Sequence, residues 1–286
     1  MGIEQAKNEG ADIVLGTDPD ADRVGVGVRV GTDYVLMTGN QIGALLVDFI
    51  LARTDLSKFN RPAIVKTVVT SELGAMIAED HGIKVFSTLT GFKFIGEKVT
   101  QFEAAKEANN PERNYDFLFG YEESFGYLAG THARYKDAVV SSLLICEMAA
   151  ALKNEGYSLF DRLQEIYTQY GYFYDALNSF TLEGKDGLIQ ITNMMSTLRE
   201  RGSLFPDVAK VIDYSIPISA EHGFGNLPAS NVLKYVFSDN SWVAVRPSGT
   251  EPKIKIYYSV RGKNLEDAEA RFERIKQTIT SELNLE

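Results

Sequence analysis

The sequence predicts an α/β protein followed by an α+β domain. In the first part of the chain, strand-like apolar runs alternate with helix-length segments, a pattern typical of a sheet with helices on both faces. After residue 171 the order becomes a helix, several strands and a final helix, which is typical of an α+β domain. We therefore expect the tail of a partial α/β domain at 1–37, a complete α/β domain with a mixed sheet at 38–171, and an α+β domain at 172–286.

The elements of the first part follow from apolar periodicity and from capping residues. A short helix opens the chain. A later helix is expected from Gln41 to Arg53 with Asn40 as its N-cap, and another is expected with Ser71 as its cap and Gly82 closing it. The remaining elements are strands at 11–16, 24–30, 34–37, 64–70, 84–88 and 117–121 and helices at 93–108 and 137–154.

The second part begins after a helix predicted at 159–170. The aromatic-rich stretch GYFYDA, which follows that helix, is interpreted as a connector between domains. Strands are expected at 241–246 and 253–260 on either side of the turn PSGTEP, and a final helix at 265–283.

Composition excludes several classes of protein. The 286 residues carry a formal net charge of -10, so a general affinity for nucleic acid or anionic membranes, both of which need a basic surface, is not expected. The single Cys146 excludes an internal disulfide, and the sequence shows neither a leader-like segment nor a long apolar run. We expect a cytoplasmic protein, and its oligomeric state stays open.

The stretch GTDPDADRVGVGV places Asp18, Asp20 and Asp22 at alternate positions after a buried strand. Such carboxylates repel one another unless a cation neutralises them, and magnesium suits this ligand type. A calcium EF-hand is excluded because Arg23 and Arg29 stand where that loop needs Gly and Glu. Two alternatives stay open: a phosphatase loop in which Asp18 attacks phosphate, and a solvated acidic turn.

A second loop, FGYEESFGYL, places Glu122 and Ser124 at the end of an apolar strand. Carboxylates there are well placed to accept hydrogen bonds from sugar hydroxyls, and a serine can donate or accept one. The stretch THARYKDA follows and adds His132, Arg134 and Lys136 just before a helix. An ordinary polar loop with a structural histidine and an exposed lysine is the alternative.

The third loop is PSGTEP. Arg246 can donate two hydrogen bonds to a phosphate, Ser248 and Thr250 offer hydroxyls, and Gly249 lets backbone amides approach an anion. In an acidic protein this pattern favours a phosphate site, although a hairpin turn with incidental polarity is the alternative.

Taken together and in this order, DPDADR, TLTGFKFIG, GYEESFG and RPSGTEPK resemble the phosphoglucomutase/phosphomannomutase family of α-D-phosphohexomutases. The sequences of the two middle motifs are similar to those of the bacterial phosphoglucomutase branch and its phosphopentomutase relatives. The resemblance implies that residues 1–37 are the end of the second mutase domain, with a magnesium loop formed by Asp18, Asp20 and Asp22. It implies these further site residues: the active-site Arg23, the proton-transferring Lys136, and for substrate binding Thr90, Gly91, Lys93, Glu122, Ser124, Arg246, Ser248, Gly249, Thr250 and Lys255.

The family interconverts glucose 1-phosphate and glucose 6-phosphate through a phosphoserine and a glucose 1,6-bisphosphate intermediate, with Mg²⁺ as cofactor and a small phosphosugar as partner. The sequence departs from the family because it lacks the Thr/Ser-Ala-Ser-His-Asn-Pro loop that bears the serine. We therefore expect a C-terminal fragment with little or no mutase activity and with a metal loop that binds Mg²⁺ weakly. The alternatives are a phosphopentomutase, a phosphomannomutase and a non-catalytic sugar-phosphate binding module.

Overall fold

The structure is a computed structural model that describes residues 1–182, 184–219, 226–249 and 251–285. It divides into two compact units, Met1–Tyr170 and Gly171–Glu286. The domain boundaries expected from the sequence remain predictions.

The first unit opens with a small antiparallel sheet. Helix α1 (Gly2–Glu9) precedes strands β1 (Ile13–Thr17), β2 (Val24–Val30) and β3 (Asp33–Met37), which pair in that order. The helix ends at Gly10, which adopts the left-handed conformation with φ 67° that glycine reaches without a Cβ clash. The carboxylate loop of residues 18–23 connects β1 to β2 and therefore lies at one end of this sheet.

A four-stranded sheet forms the rest of the first unit. It has the order β5-β4-β6-β7, in which β4 runs parallel to β5 and β6, and β7 runs antiparallel to β6. Its elements are α2 (Gly39–Arg53), β4 (Pro62–Thr67), α3 (Leu73–Asp80), β5 (Lys84–Thr88), α4 (Phe92–Glu107), β6 (Asp116–Glu122), β7 (Gly126–Ala129), α5 (Ala138–Asn154) and α6 (Leu159–Tyr170).

Helices cover both faces of this sheet. The ring of Tyr121 lies against Gly43 of α2 and reaches Gly74 of α3, whereas its neighbour Gly120 faces Ile95 of α4. Successive strand residues point to opposite faces, so α4 lies on the face opposite to α2 and α3. The predicted mixed sheet with helices on both faces is confirmed.

Two predicted helix starts are wrong. Helix α2 is capped by Thr38, whose hydroxyl accepts the amide of Gln41 while the Gln41 side chain accepts the amide of Thr38, and Asn40 is its second residue. The Asn40 side chain instead accepts a hydrogen bond from the backbone amide of Ser71 at 3.0 Å. Helix α3 begins at Leu73, so its N-cap is Glu72 rather than Ser71.

The carboxyl ends of β4, β5 and β6 lie at one edge of the sheet, because the three strands are parallel. The chain passes from β4 to β5 on one side and then crosses over to β6 on the other side. The loops after β4 and β6 therefore leave in opposite directions, and such a point in an open α/β sheet forms a crevice that binds ligands.

The second unit contains a five-stranded antiparallel sheet of order β8-β14-β13-β12-β9 and a short pair, β10 with β11. Its elements are β8 (Tyr172–Thr181), α7 (Gly184–Arg201), β9 (Val208–Asp213), β10 (Ile218–Ser219), β11 (Asn226–Leu227), β12 (Leu233–Phe237), β13 (Trp242–Pro247), β14 (Lys253–Gly262) and α8 (Leu265–Glu282).

The interpretation of GYFYDA as a connector is wrong, because its residues from Tyr172 onward begin the edge strand β8. This strand pairs with the whole of β14, from Tyr172 opposite Gly262 to Thr181 opposite Lys253. Aromatic residues favour strands, and Tyr174 packs its ring 4.7 Å from that of Phe272 in α8. Among the described residues, no helix is both long enough and apolar enough to cross a membrane.

Candidate functional site

Asp18 organises the carboxylate loop. Its Oδ1 accepts the backbone amides of Asp22 and Arg23, each at 3.1 Å, and its Oδ2 accepts Nε of Arg23 at 2.6 Å. Ala21 has the left-handed φ of 52°, which turns the chain back toward β2. The loop conformation therefore depends on an ionised Asp18.

The three carboxylates approach closely enough to share a cation. Asp18, Asp20 and Asp22 each offer an oxygen, and these oxygens lie within 4.8 Å of one another. Asp22 Oδ1 is buried without a hydrogen-bond partner in the described part of the chain, although Arg23 Nε lies 3.4 Å away. A cluster of carboxylate oxygens with an orphaned buried acceptor fits a hard divalent ion such as Mg²⁺.

Hydrogen bonds hold the pKa of Asp18 far below its usual value. Burial acts to raise this pKa, but the bonds from Arg23 and Asp22 outweigh it and lower the pKa from 3.8 to about 2. The same contact raises the pKa of Arg23. Asp18 is thus a carboxylate throughout the physiological pH range.

Lys136 is the cation that reaches this loop. Its Nζ lies 2.9 Å from Asp22 Oδ2, and only 11% of its side chain is exposed. Gly126 makes the approach possible, since a Cβ at that position would stand 2.1 Å from Cδ of Lys136. The lysine is therefore enclosed rather than solvent-facing.

The other two basic residues of the THARYKDA stretch do not join the carboxylates. His132 Nε2 lies 2.9 Å from Oδ2 of Asp137, whose other oxygen caps α5. Arg134 forms an ion pair with Glu103 of α4 and donates to the carbonyl of Thr131. Both side chains shape the loop that presents Lys136.

Glu122 and Gly91 are brought together at the carboxyl edge of the four-stranded sheet. Glu122 ends β6, is 6% exposed, and accepts the Gly91 amide on Oε1 at 2.8 Å. Thr90 is partly buried beside Gly91, and the exposed Lys93 has its Nζ 4.9 Å from the centre of the Phe94 ring.

The turn of residues 123–125 joins β6 to β7 and touches the carboxylate loop. It carries the partly buried Ser124. The carbonyl of Phe125 accepts the amide of Val24 at 3.2 Å, and Arg23 forms a β-bridge with Gly126. The structure thus places the predicted metal ligands next to the predicted sugar-binding turn.

Glu123 stands in the predicted sugar-binding loop, but no role of its own was inferred for it from the sequence. Its Oε2 lies 3.4 Å from the Thr67 hydroxyl and 3.3 Å from that of Thr70, at the end of β4. Burial of the carboxyl group and, second, the charge of Glu122 raise the pKa of Glu123 from 4.5 to about 7. The available signal was the pair of threonines at the end of IVKTVVT, which a parallel sheet brings to the same edge as the β6 turn.

In the second unit, Arg246 and Lys255 stand opposite each other on β13 and β14. The Ser248 amide donates to the Lys253 carbonyl at 2.7 Å and closes the start of the loop. Gly249 is exposed. Thr250, predicted to bind phosphate, lies outside the described residues. The structure therefore brings two cations together at the base of a polar loop.

Family models match two segments of the chain. The model described as phosphoglucomutase/phosphomannomutase, alpha/beta/alpha domain III, matches residues 38–170, and the model of the C-terminal domain matches residues 198–276. The two segments lie in the first and second units, respectively.

Curated relatives include phosphoglucomutases of staphylococci. That of Staphylococcus epidermidis is 38% identical over 269 residues, covering 91% of this chain and 47% of the relative. That of Staphylococcus saprophyticus is 34% identical over 284 residues, covering 96% of this chain and 50% of the relative. The chain spans about half the length of these relatives.

Solved structures share the fold. The phosphoprotein pp63/parafusin (phosphoglucomutase) from Paramecium, in an open form, superposes with a TM-score of 0.72 at 20% identity, covering 96% of this chain and 46% of that one. A phosphoglucomutase/phosphomannomutase family protein from Burkholderia thailandensis superposes with a TM-score of 0.63 at 14% identity, covering 98% and 49%.

Proposed function

Because the chain belongs to the phosphoglucomutase/phosphomannomutase family, we propose that it supplies the metal loop, sugar-recognition turn and phosphate loop of a phosphoglucomutase. One observation carries this proposal. The carboxylates of Asp18, Asp20 and Asp22 lie within 4.8 Å of one another, beside the turn of residues 123–125, which carries Ser124 and follows Glu122. The reaction is the interconversion of glucose 1-phosphate and glucose 6-phosphate, with glucose 1,6-bisphosphate as intermediate.

Asp18, Asp20 and Asp22 would hold Mg²⁺. When bound, the ion neutralises negative charge on a phosphoryl group in transfer. Both oxygens of Asp18 already accept hydrogen bonds within the loop. Asp20 and the unpartnered Oδ1 of Asp22 are therefore the freest acceptors of the three residues.

The same contacts weigh against the phosphatase alternative. A nucleophilic aspartate needs an oxygen free to attack phosphorus. Both oxygens of Asp18 accept hydrogen bonds, one of them from the cationic Arg23. This arrangement supports a loop-forming role for Asp18.

The chain's remaining site residues bind and orient the sugar phosphate. The Glu122 carboxylate accepts hydrogen bonds from sugar hydroxyls, and Ser124 can donate or accept one beside it. Lys136 carries a proton at Nζ next to the metal loop. In the second unit, Arg246 and Lys255 supply the positive charge that a phosphate requires. Thr90, Gly91, Lys93, Ser248, Gly249 and Thr250 complete the proposed substrate-binding set.

The phosphoryl donor is not among the 286 residues, which contain no Ser-His-Asn-Pro sequence. We therefore propose that this polypeptide binds phosphosugars but does not turn them over by itself. Its place of action is the cytoplasm, where phosphosugars and reduced thiols coexist.

The test is a calorimetric titration of the chain with glucose 1-phosphate, mannose 1-phosphate and ribose 1-phosphate in Mg²⁺ buffer, paired with an assay for glucose 6-phosphate in the presence of glucose 1,6-bisphosphate. We expect preferential binding of the glucose ester, loss of that preference in Glu122→Ala, and no turnover. Preferential binding of ribose 1-phosphate would favour a phosphopentomutase, and of the mannose ester a phosphomannomutase. Absence of binding to all three would refute the proposal.

A further inference from the structure

The turn of residues 123–125 is strained and anchored at both ends. Phe125 adopts a left-handed φ of 67°, which is costly for a bulky residue and persists only where neighbouring contacts enforce it. Its carbonyl is fixed to Val24. At the other end, the backbone of Glu123 packs on Gly39, where a Cβ would stand 2.1 Å from the Glu123 carbonyl oxygen.

The Glu123 side chain makes the third attachment, to the end of β4. The hydroxyls of Thr67 and Thr70 lie 2.9 Å apart and share one hydrogen between them. Each hydroxyl has one hydrogen to donate, so only one is left for the Glu123 carboxylate. A carboxyl group that keeps its own proton can instead donate to one threonine and accept from the other. The neutral acid can therefore satisfy this cluster. Burial and the charge of Glu122 raise the pKa of the carboxyl group and outweigh the hydrogen bonds from the Glu123 amide, Thr70 and Thr67, which lower it.

We propose that Glu123 is a positioning residue that, as the neutral acid, ties the turn of residues 123–125, between Glu122 and β7, to Thr67 at the end of β4 and to Thr70 just after it. This attachment thereby sets the affinity for the phosphosugar. The inference rests on the proposed function of that turn. It assigns Glu123 no contact with the substrate; the side chain acts through its two neighbours in sequence.

The electrostatic surroundings favour the neutral form. Burial and the adjacent Glu122 raise the pKa of Glu123 to about 7. The nearby lysines are engaged elsewhere: Lys66 of β4 pairs with Glu72 and donates to the Thr70 carbonyl, and Lys136 pairs with Asp22. Ionisation above pH 7 therefore adds a second negative charge beside Glu122, where an anionic ligand must bind.

The expected effect is a loss of affinity as pH rises. If only the neutral form of Glu123 binds, the apparent dissociation constant is divided by the neutral fraction, which at pH 8 is about one tenth for a pKa of about 7. The chain should therefore bind glucose 1-phosphate about tenfold more weakly at pH 8 than at pH 6. Glu123→Gln keeps the shape and the hydrogen-bond donor of the neutral acid. The affinity of this variant should therefore lack the tenfold loss between pH 6 and pH 8.

The experiment has two readouts on the whole chain. The first is nuclear magnetic resonance of the backbone amides of Glu122, Ser124 and Gly126 without ligand from pH 5.5 to 8.5. These signals should titrate near pH 7 in the parent and in the control Glu107→Gln, an exposed position on α4, but not in Glu123→Gln. Thr70→Val should shift the titration. The inference would be overturned if these amide signals did not change with pH, or if they titrated in Glu123→Gln as they do in the parent. This outcome does not depend on whether any sugar binds.

The second readout is calorimetric affinity for glucose 1-phosphate over the same range. The ligand's own phosphate titrates near pH 6, and comparison with Glu123→Gln cancels that contribution. Once the change shared with Glu123→Gln is removed, a further loss of affinity of about tenfold in the parent between pH 6 and pH 8 supports the inference. If both proteins bind glucose 1-phosphate and their affinities change equally with pH, the inference is contradicted and the proposed function stands. If neither protein binds any phosphosugar, the proposed function alone is contradicted.

Discussion

Lys136 Nζ lies 2.9 Å from Asp22 Oδ2, and its aliphatic stem passes directly over Gly126. The lysine thus places a covalently attached positive charge beside Asp22, a proposed metal ligand, where it would compete electrostatically with a bound cation. This competition and the loop around it lead to three predictions, and the cations of the second unit lead to a fourth.

Replacing Lys136 should strengthen metal binding by the isolated chain. In Lys136→Met, Asp22 loses a neighbouring cation, which at this separation near a protein surface corresponds to at least about 1 kcal/mol, or roughly a fivefold lower dissociation constant. Gly126→Ala should act in the same direction because its Cβ displaces the lysine stem. Mn²⁺ line broadening, reversed by Mg²⁺, measures the effect. Gly16→Ala, whose Cβ meets no atom within 4 Å, is the control, and unchanged affinity in both variants would refute the competition.

Substitutions of Asp20 and Asp18 should distinguish the role of each residue in metal binding from its role in stabilising the loop. Asp20 is exposed and makes none of the loop's hydrogen bonds, so Asp20→Asn should weaken Mn²⁺ binding by about tenfold or more at an unchanged melting temperature. Asp18→Asn should weaken binding and also lower the melting temperature, because an amide oxygen replaces the charged acceptor of Arg23. Equal thermal stability of the two variants would contradict this division of roles.

Asp18 should contribute to stability only above acidic pH. Its pKa falls from 3.8 to about 2 on folding, so the folded state binds the proton less readily than the unfolded state. The contribution is therefore fully present above about pH 4 and is lost as pH falls through 2. The free energy of unfolding, measured with urea at intervals from pH 2 to 6, should rise less steeply with pH in Asp18→Asn than in the parent. Parallel curves would show that the loop contacts contribute nothing to the free energy of unfolding.

Arg246 should dominate phosphate binding in the second unit. Arg246→Ala removes a charge-assisted donor and should weaken binding of glucose 1-phosphate by about tenfold. Arg246→Lys should restore only part of the loss, since an ammonium group cannot donate two parallel hydrogen bonds. Lys276→Ala on α8, where the lysine pairs with Glu273, is the matched control for net charge. Equal affinities of Arg246→Ala and Lys276→Ala would disprove the assignment.

The fold could be predicted from sequence wherever the residues of a single helix or strand are enough to indicate its secondary structure. The alternation of strands and helices, and helices such as α6 and α8, follow from local periodicity and caps. One failure was a local competition: Thr38 and Asn40 are both good N-caps, and only Thr38 has Gln41 three residues later to complete a capping box. The stretch GYFYDA has the composition of a strand, but its partner β14 lies about eighty residues away.

The candidate site was predictable as a set of loops but not as a set of contacts. Asp18, Asp20 and Asp22 are neighbours in sequence, so their clustering could be inferred. The contact of Lys136 with Asp22 spans more than a hundred residues and requires Gly126 beneath it. The role of Glu123 was missed because its partners Thr67 and Thr70 become visible only when β4 and β6 are placed side by side.

The turn of residues 123–125 is bonded to the metal loop through Val24 and Phe125, and this physical join has a thermodynamic consequence. If occupancy of the carboxylate loop steadies the turn, Mg²⁺ raises sugar affinity by some factor, and the sugar must then raise Mg²⁺ affinity by the same factor. Crossed titrations of the two ligands on this chain would yield one reciprocal coupling constant. The metal ion and the phosphosugar would then act as mutual effectors on this chain.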